Sequence, residues 1–100
     1  MSFVCVIEID LHLPTNGSLK GKRKEISSLK AQLHRRFGAT VAETDHHDLW
    51  QRAQLSAALV GASASVVDDA GAKLARYVDS QFPDGVSVRR TIVSADEVFS

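Results

Sequence analysis

From Phe3 to Leu13 every odd-numbered residue is apolar, whereas the even positions change from Val4 and Val6 to Glu8, Asp10 and His12. A period of two belongs to a strand with one buried face. This run therefore commits the chain to a sheet covered on one side. The second half of the other side, at Glu8, Asp10 and His12, faces water or a partner.

The remaining patterns follow in a fixed order. Pro14, Thr15, Asn16 and Gly17 form a turn, and Ser18 is a good N-cap for a helix. Leu19, Ile26, Leu29, Leu33 and Phe37 fall in one stripe at about 100° per residue, so that helix runs to a stop at Gly38. Ala39 to Thr44 reads as a short strand, Asp45 to Asp48 as a polar turn, and Leu49 to Val60 as a long strand, which makes a hairpin. Leu49, Ala53, Leu55, Ala57 and Leu59 share one face of the long strand. Ser65 with Asp68 resembles a capping box, and Val67, Ala70, Leu74, Tyr77, Val78 and Phe82 supply the stripe of a second helix, slightly weakened by Gly71. Pro83, Asp84 and Gly85 turn the chain into a last strand, Val86 to Val93.

The order β-α-β-β-α-β predicts an α+β ferredoxin-like split β-α-β sandwich: a four-stranded antiparallel sheet in order 4-1-3-2, with two helices on one face. One domain over residues 1–100 is expected from the length, and 44% hydrophobic with 24% charged residues is ordinary globular composition. A core of this size is thin, and oligomerisation would supplement it. Cys5 is the single cysteine and reads as a small buried hydrophobe in a reducing compartment. The N-terminal apolar run is too short for a secretory signal and is broken by Glu8 and Asp10, and no stretch approaches membrane length. A cytoplasmic protein is expected.

The segments "IEIDLHLP", "SLKGKRKEISSL" and "VAETDHHDLWQRAQLSAALV" resemble the YlxP-like family of small bacterial proteins of unknown function. The resemblance covers nearly the whole chain and is carried by Ser18-Leu-Lys-x-Lys-Arg23 and Asp48-Leu-Trp-Gln-Arg-Ala53. It implies a ferredoxin-like fold and a genomic setting shared with translation and ribosome-maturation genes, such as that for ribosome-binding factor A. It implies no activity and transfers no catalytic residue. Family members commonly carry an acid where this chain has Gly21, so the capping-box partner of Ser18 is missing.

Charge is unevenly distributed. Ser18 to Phe37 holds seven cations (Lys20, Lys22, Arg23, Lys24, Lys30, Arg35, Arg36) against Glu25, a net of +6, and the other eighty residues carry −6. On a helical wheel Lys30, Arg23, Lys20, Lys24 and Arg35 spread from about 40° to 180° away from Ile26, with His34 among them. Four cations crowd the first turns, where the helix dipole disfavours each by roughly 0.3–1 kcal/mol. Stability alone would place acids there. Anion docking by Ser18, Lys20, Lys22, Arg23, Lys24, Lys30 and Arg35 explains the pattern. The plain alternative is a solvated face, with Lys22 snorkelling beside the apolar stripe.

The uncovered sheet face should carry Asp10 and His12 on the first strand with Trp50 and Arg52 on the third, His12 near Trp50 and Asp10 or Glu8 near Arg52. Val4 and Val6 should meet Ala58 and Val60 at an apolar end that invites a homodimer or a higher homo-oligomer. Base stacking on this sheet in the manner of RNA-recognition modules is disfavoured, since only Trp50 is aromatic and two acids would repel phosphate. Asp45-His46-His47-Asp48 has the residue types of a metal site, but four consecutive turn residues do not converge on one centre, and a polar turn is the better reading. No P-loop, dinucleotide glycine motif or nucleophile–histidine pairing is present, and neither catalytic residues nor a cofactor are assigned. Two functions emerge. The first is a non-enzymatic RNA- or ribosome-associated module acting through the basic helix. The second is a small-ligand- or metal-binding protein, or an enzyme, with its site around Asp10, His12, Trp50 and Arg52.

Overall fold

The alternation at the N-terminus becomes strand β1, Phe3–His12, with Cys5, Ile7, Ile9 and Leu11 buried and the even residues partly exposed. The computed structural model describes residues 1–83 and 85–100, so the predicted turn at Pro83–Gly85 lies outside the described residues at Asp84. Helix α1 spans Leu19–Phe37. Ser18 opens it in an extended conformation, its hydroxyl accepting from the Gly21 N–H at 3.0 Å. Gly38 closes it in the left-handed region at φ 70°, where a Cβ would be strained.

Strands β2 (Thr40–Asp45) and β3 (Arg52–Gly61), helix α2 (Ala64–Gln81) and strand β4 (Val86–Ser94) follow, and the sheet order β2-β3-β1-β4 is antiparallel throughout. This is the ferredoxin-like arrangement. A short helix, α3 (Ala95–Phe99), follows β4 and was not expected from the pattern.

The core lies between the sheet and the two long helices. Ile26, Leu29 and Leu33 of α1 and Val67, Leu74 and Val78 of α2 cover the odd residues of β1 and β3. Each fully buried side chain of this kind contributes roughly 1.5–3 kcal/mol. Gly71 is explained here: a Cβ at that position would lie 2.6 Å from Cys5 Sγ, so α2 rests directly on β1. Burial pushes the Cys5 thiol up from its ordinary pKa, in keeping with a core hydrophobe.

Three expectations require correction. Strand β3 begins at Arg52, leaving Leu49, Trp50 and Gln51 in the connection, and the register is displaced accordingly. His12 therefore faces Arg52, Asp10 faces Gln54, and Glu8 faces Ser56, while Val4 opposite Val60 and Val6 opposite Ala58 stand as expected. Ser65 and Asp68 form no capping box, because α2 starts after Ser63 and Asp68 instead pairs with Arg90 of β4.

Candidate nucleic-acid interface

Helix α1 packs with one flank toward α2 and the other over the outer strand β2. Lys24, Glu25, Ser28 and Gln32 line a groove with Gln81 and Phe82. Lys30 and His34 instead line a hollow with Ala39, Thr40 and Val41. The wheel positions of Arg23 and Lys20 continue that second flank toward the start of the helix. Lys20, Arg23, Lys24 and Arg35 are exposed and Lys30 is half-buried. Among the described residues none of these five cations has a carboxylate partner. Arg36 differs, its guanidinium lying 4.5 Å from the centre of the Tyr77 ring.

Lys22 does not belong to this set. It is 2% exposed, and its ammonium donates to the carbonyl oxygens of His46 at 2.6 Å and Leu49 at 2.7 Å. Glu43 Oε2 lies 2.9 Å from the same nitrogen as an ion pair, without hydrogen-bond geometry. The anion-binding role expected of Lys22 is thus overturned: its charge is already satisfied inside the protein. The signal was present in the sequence, because Lys22 falls on the wheel between Ile26 and Leu29, in the middle of the apolar stripe.

The connection between β2 and β3 is organised around that ammonium. His46 sits in the left-handed region at φ 63°, with its N–H bonded to Asp45 Oδ1 at 2.7 Å. Asn16 Nδ2 donates both to the Trp50 carbonyl and to the Ser18 carbonyl, joining this connection to the start of α1. The Leu13 N–H donates to the Gln51 carbonyl at 2.7 Å. A Cβ on Gly21 would lie 2.6 Å from Asn16 Oδ1, so glycine at this position leaves room for the clamp. In the Asp45–Asp48 turn, His47 Nε2 lies 3.2 Å from the Glu43 carbonyl. Among the described residues no three His, Cys, Asp or Glu side chains gather as metal ligands would.

The polar end of the open sheet face brings Asp10, His12 and Arg52 around a hollow of about 240 Å³, with Gly85 and Ser87. Trp50 does not line it, and the cross-strand ion pair expected between Asp10 and Arg52 is not formed. Glu8 accepts from Ser56 Oγ at 2.7 Å and faces Arg89 of β4. At the apolar end Val93 extends the row of Val60 and Val4. Among the described residues no helix is long and apolar enough to cross a membrane.

A family model described as "Protein of unknown function (DUF503)" matches residues 4–91. No curated protein matches the chain. Among solved structures, the "De novo designed protein Foldit4" is similar at a TM-score of 0.53 and 12% identity, covering 91% of this chain and 97% of that one. That likeness concerns the fold alone.

Proposed function

The chain belongs to the DUF503 family of proteins of unknown function, and we propose that it is a non-enzymatic RNA- or ribosome-associated module gripping phosphate backbone with the outer flank of α1. The observation that carries this reading is the set Lys20, Arg23, Lys24, Lys30 and Arg35, which spread over the outward arc of α1 from the β2-side hollow at Lys30 to the α2-side groove at Lys24, with no carboxylate partner among the described residues. Charges kept in water and unpaired contribute little to folding. They suit a polyanion, whose condensed counterions are released on binding. The resemblance of the Ser18–Arg23 and Asp48–Ala53 motifs to the YlxP-like family supports the same reading through the translation genes that family accompanies.

Binding to ribosomes and ribosomal RNA fragments across a salt series tests it. Affinity should fall steeply with salt, and joint reversal of Lys20, Arg23 and Lys24 to Glu should remove most of it. Each lost phosphate contact lowers the log–log salt slope by about 0.7–0.9. Absence of binding, or binding indifferent to salt, would refute the proposal.

A second reading rests on the hollow beside Asp10, His12 and Arg52, where an acid, an imidazole and a guanidinium face a common space suited to a small polar ligand. Native mass spectrometry of freshly purified protein distinguishes it, since this reading predicts a copurifying small molecule. We further propose that a second copy covers the apolar end of the open face at Val4, Val6, Ala58 and Val60, because Val60 is 73% exposed there and Val93 enlarges the patch. A twofold pairing would set this patch against itself.

A further inference from the structure

We propose that Trp50 is a base-stacking platform, so that the RNA gripped by α1 carries unpaired bases where it crosses the β2–β3 connection; this rests on the RNA reading above. Trp50 is 51% exposed and Leu49 beside it 45% exposed, yet the backbone beneath them is held at successive points. The His46 and Leu49 carbonyls accept from Lys22, that of Trp50 from Asn16, and that of Gln51 from the Leu13 N–H. An aromatic ring on an anchored backbone binds with little further loss of conformational freedom.

Charge complementarity identifies the occupant. Through Asn16 the Trp50 carbonyl is one side chain away from Ser18, the cap of the helix that bears Lys20, Arg23 and Lys24. A ligand that meets both surfaces has anionic and flat aromatic parts alternating at short range, which is the chemistry of a nucleotide chain. Between Asp45 and Gln51 the connection carries no lysine or arginine and has acids at Asp45 and Asp48. Those acids repel phosphate, so an RNA strand that crosses here is held by the ring against that repulsion. Duplex RNA hides its base faces, so the preferred partner is a loop, bulge or single strand.

Elsewhere the described residues offer no equivalent platform. The outward residues of β1 and β3 include no Phe, Tyr or Trp. Phe3, Phe37, Tyr77 and Phe82 pack against the core, and Phe99, although 87% exposed, follows β4 at the opposite end of β1 from His12, away from the start of α1.

Trp50 is the chain's single tryptophan, so its fluorescence reports on the site directly. Titrations with an unstructured mixed-sequence oligoribonucleotide and with an RNA duplex of equal length form the experiment. Saturable quenching by the single strand is expected. Trp50→Ala should weaken single-strand binding about 5- to 100-fold while leaving duplex binding within about twofold, and Trp50→Phe should retain most of the affinity. Single-strand binding by the wild-type chain without a change in fluorescence, or equal losses for both RNAs in the Trp50→Ala chain, overturns the stacking role while leaving the phosphate-binding reading standing. Failure of both RNAs to bind the wild-type chain overturns both.

Discussion

Lys22 Nζ donates to the Leu49 carbonyl across 2.7 Å and thereby ties the middle of the α1 apolar stripe to the β2–β3 connection. The His46 carbonyl and the Glu43 carboxylate complete its surroundings. Lys22→Met keeps the buried stem and deletes the charge, leaving two carbonyls and an acid without their partner. Breaking a buried pair from one side costs about 3–5 kcal/mol, and the partial exposure of Glu43 lowers the expectation to about 2–4 kcal/mol. Urea denaturation measures the loss. A red shift of Trp50 emission in the folded variant would report release of the connection.

Gly71→Ala separates helix propensity from packing. Propensity alone predicts a gain of nearly 1 kcal/mol in an interior helical position. The added methyl, however, would meet Cys5 Sγ at 2.6 Å, and since Cys5 is fully buried the helix or the strand must shift to make room. Destabilisation by about 1–3 kcal/mol is therefore expected. Adding Cys5→Ala should restore part of it, and thermal unfolding of the two single variants and the double variant gives the coupling.

Pairing through the open sheet face predicts a dimer in solution. Light scattering at tens of micromolar, about the concentration at which weak dimers form, should return twice the monomer mass. Val60→Lys should return the monomer mass at unchanged secondary structure. A wild-type monomer under these conditions would rule the pairing out.

The strand order, both long helices and the hairpin were legible because each has a period that burial enforces: two in β1 and β3, and 3.6 in α1 and α2. The start of β3 was not. Leu49 matches the face of Ala53, Leu55, Ala57 and Leu59 but is cut off from it by Gln51, and the carbonyls of Leu49 and Trp50 are taken by Lys22 and Asn16 and are unavailable to a ladder. The displaced register of His12 and the misplaced Trp50 both follow from that local competition. Lys22 was counted by its charge when its angular position assigned it to the interior. Helix α3 had a signal in Ser94 followed by Asp96 and Glu97, the acids that favour a first helical turn. The basic arc of α1 was readable as five outward-facing residues, whereas their lack of carboxylate partners among the described residues required the fold.

The flank over β2 has a consequence for how the molecule meets a polyanion. The +6 of the whole segment from Ser18 to Phe37 is matched by −6 elsewhere, so the protein has no monopole for RNA to attract from afar. Beyond a Debye length of about 8 Å at physiological salt little force remains. What survives at close range is a torque that turns α1 toward the phosphates before contact. Such a protein is oriented by its partner more than it is recruited by it, and it samples many anionic surfaces briefly, remaining where the contact at the flank is complete.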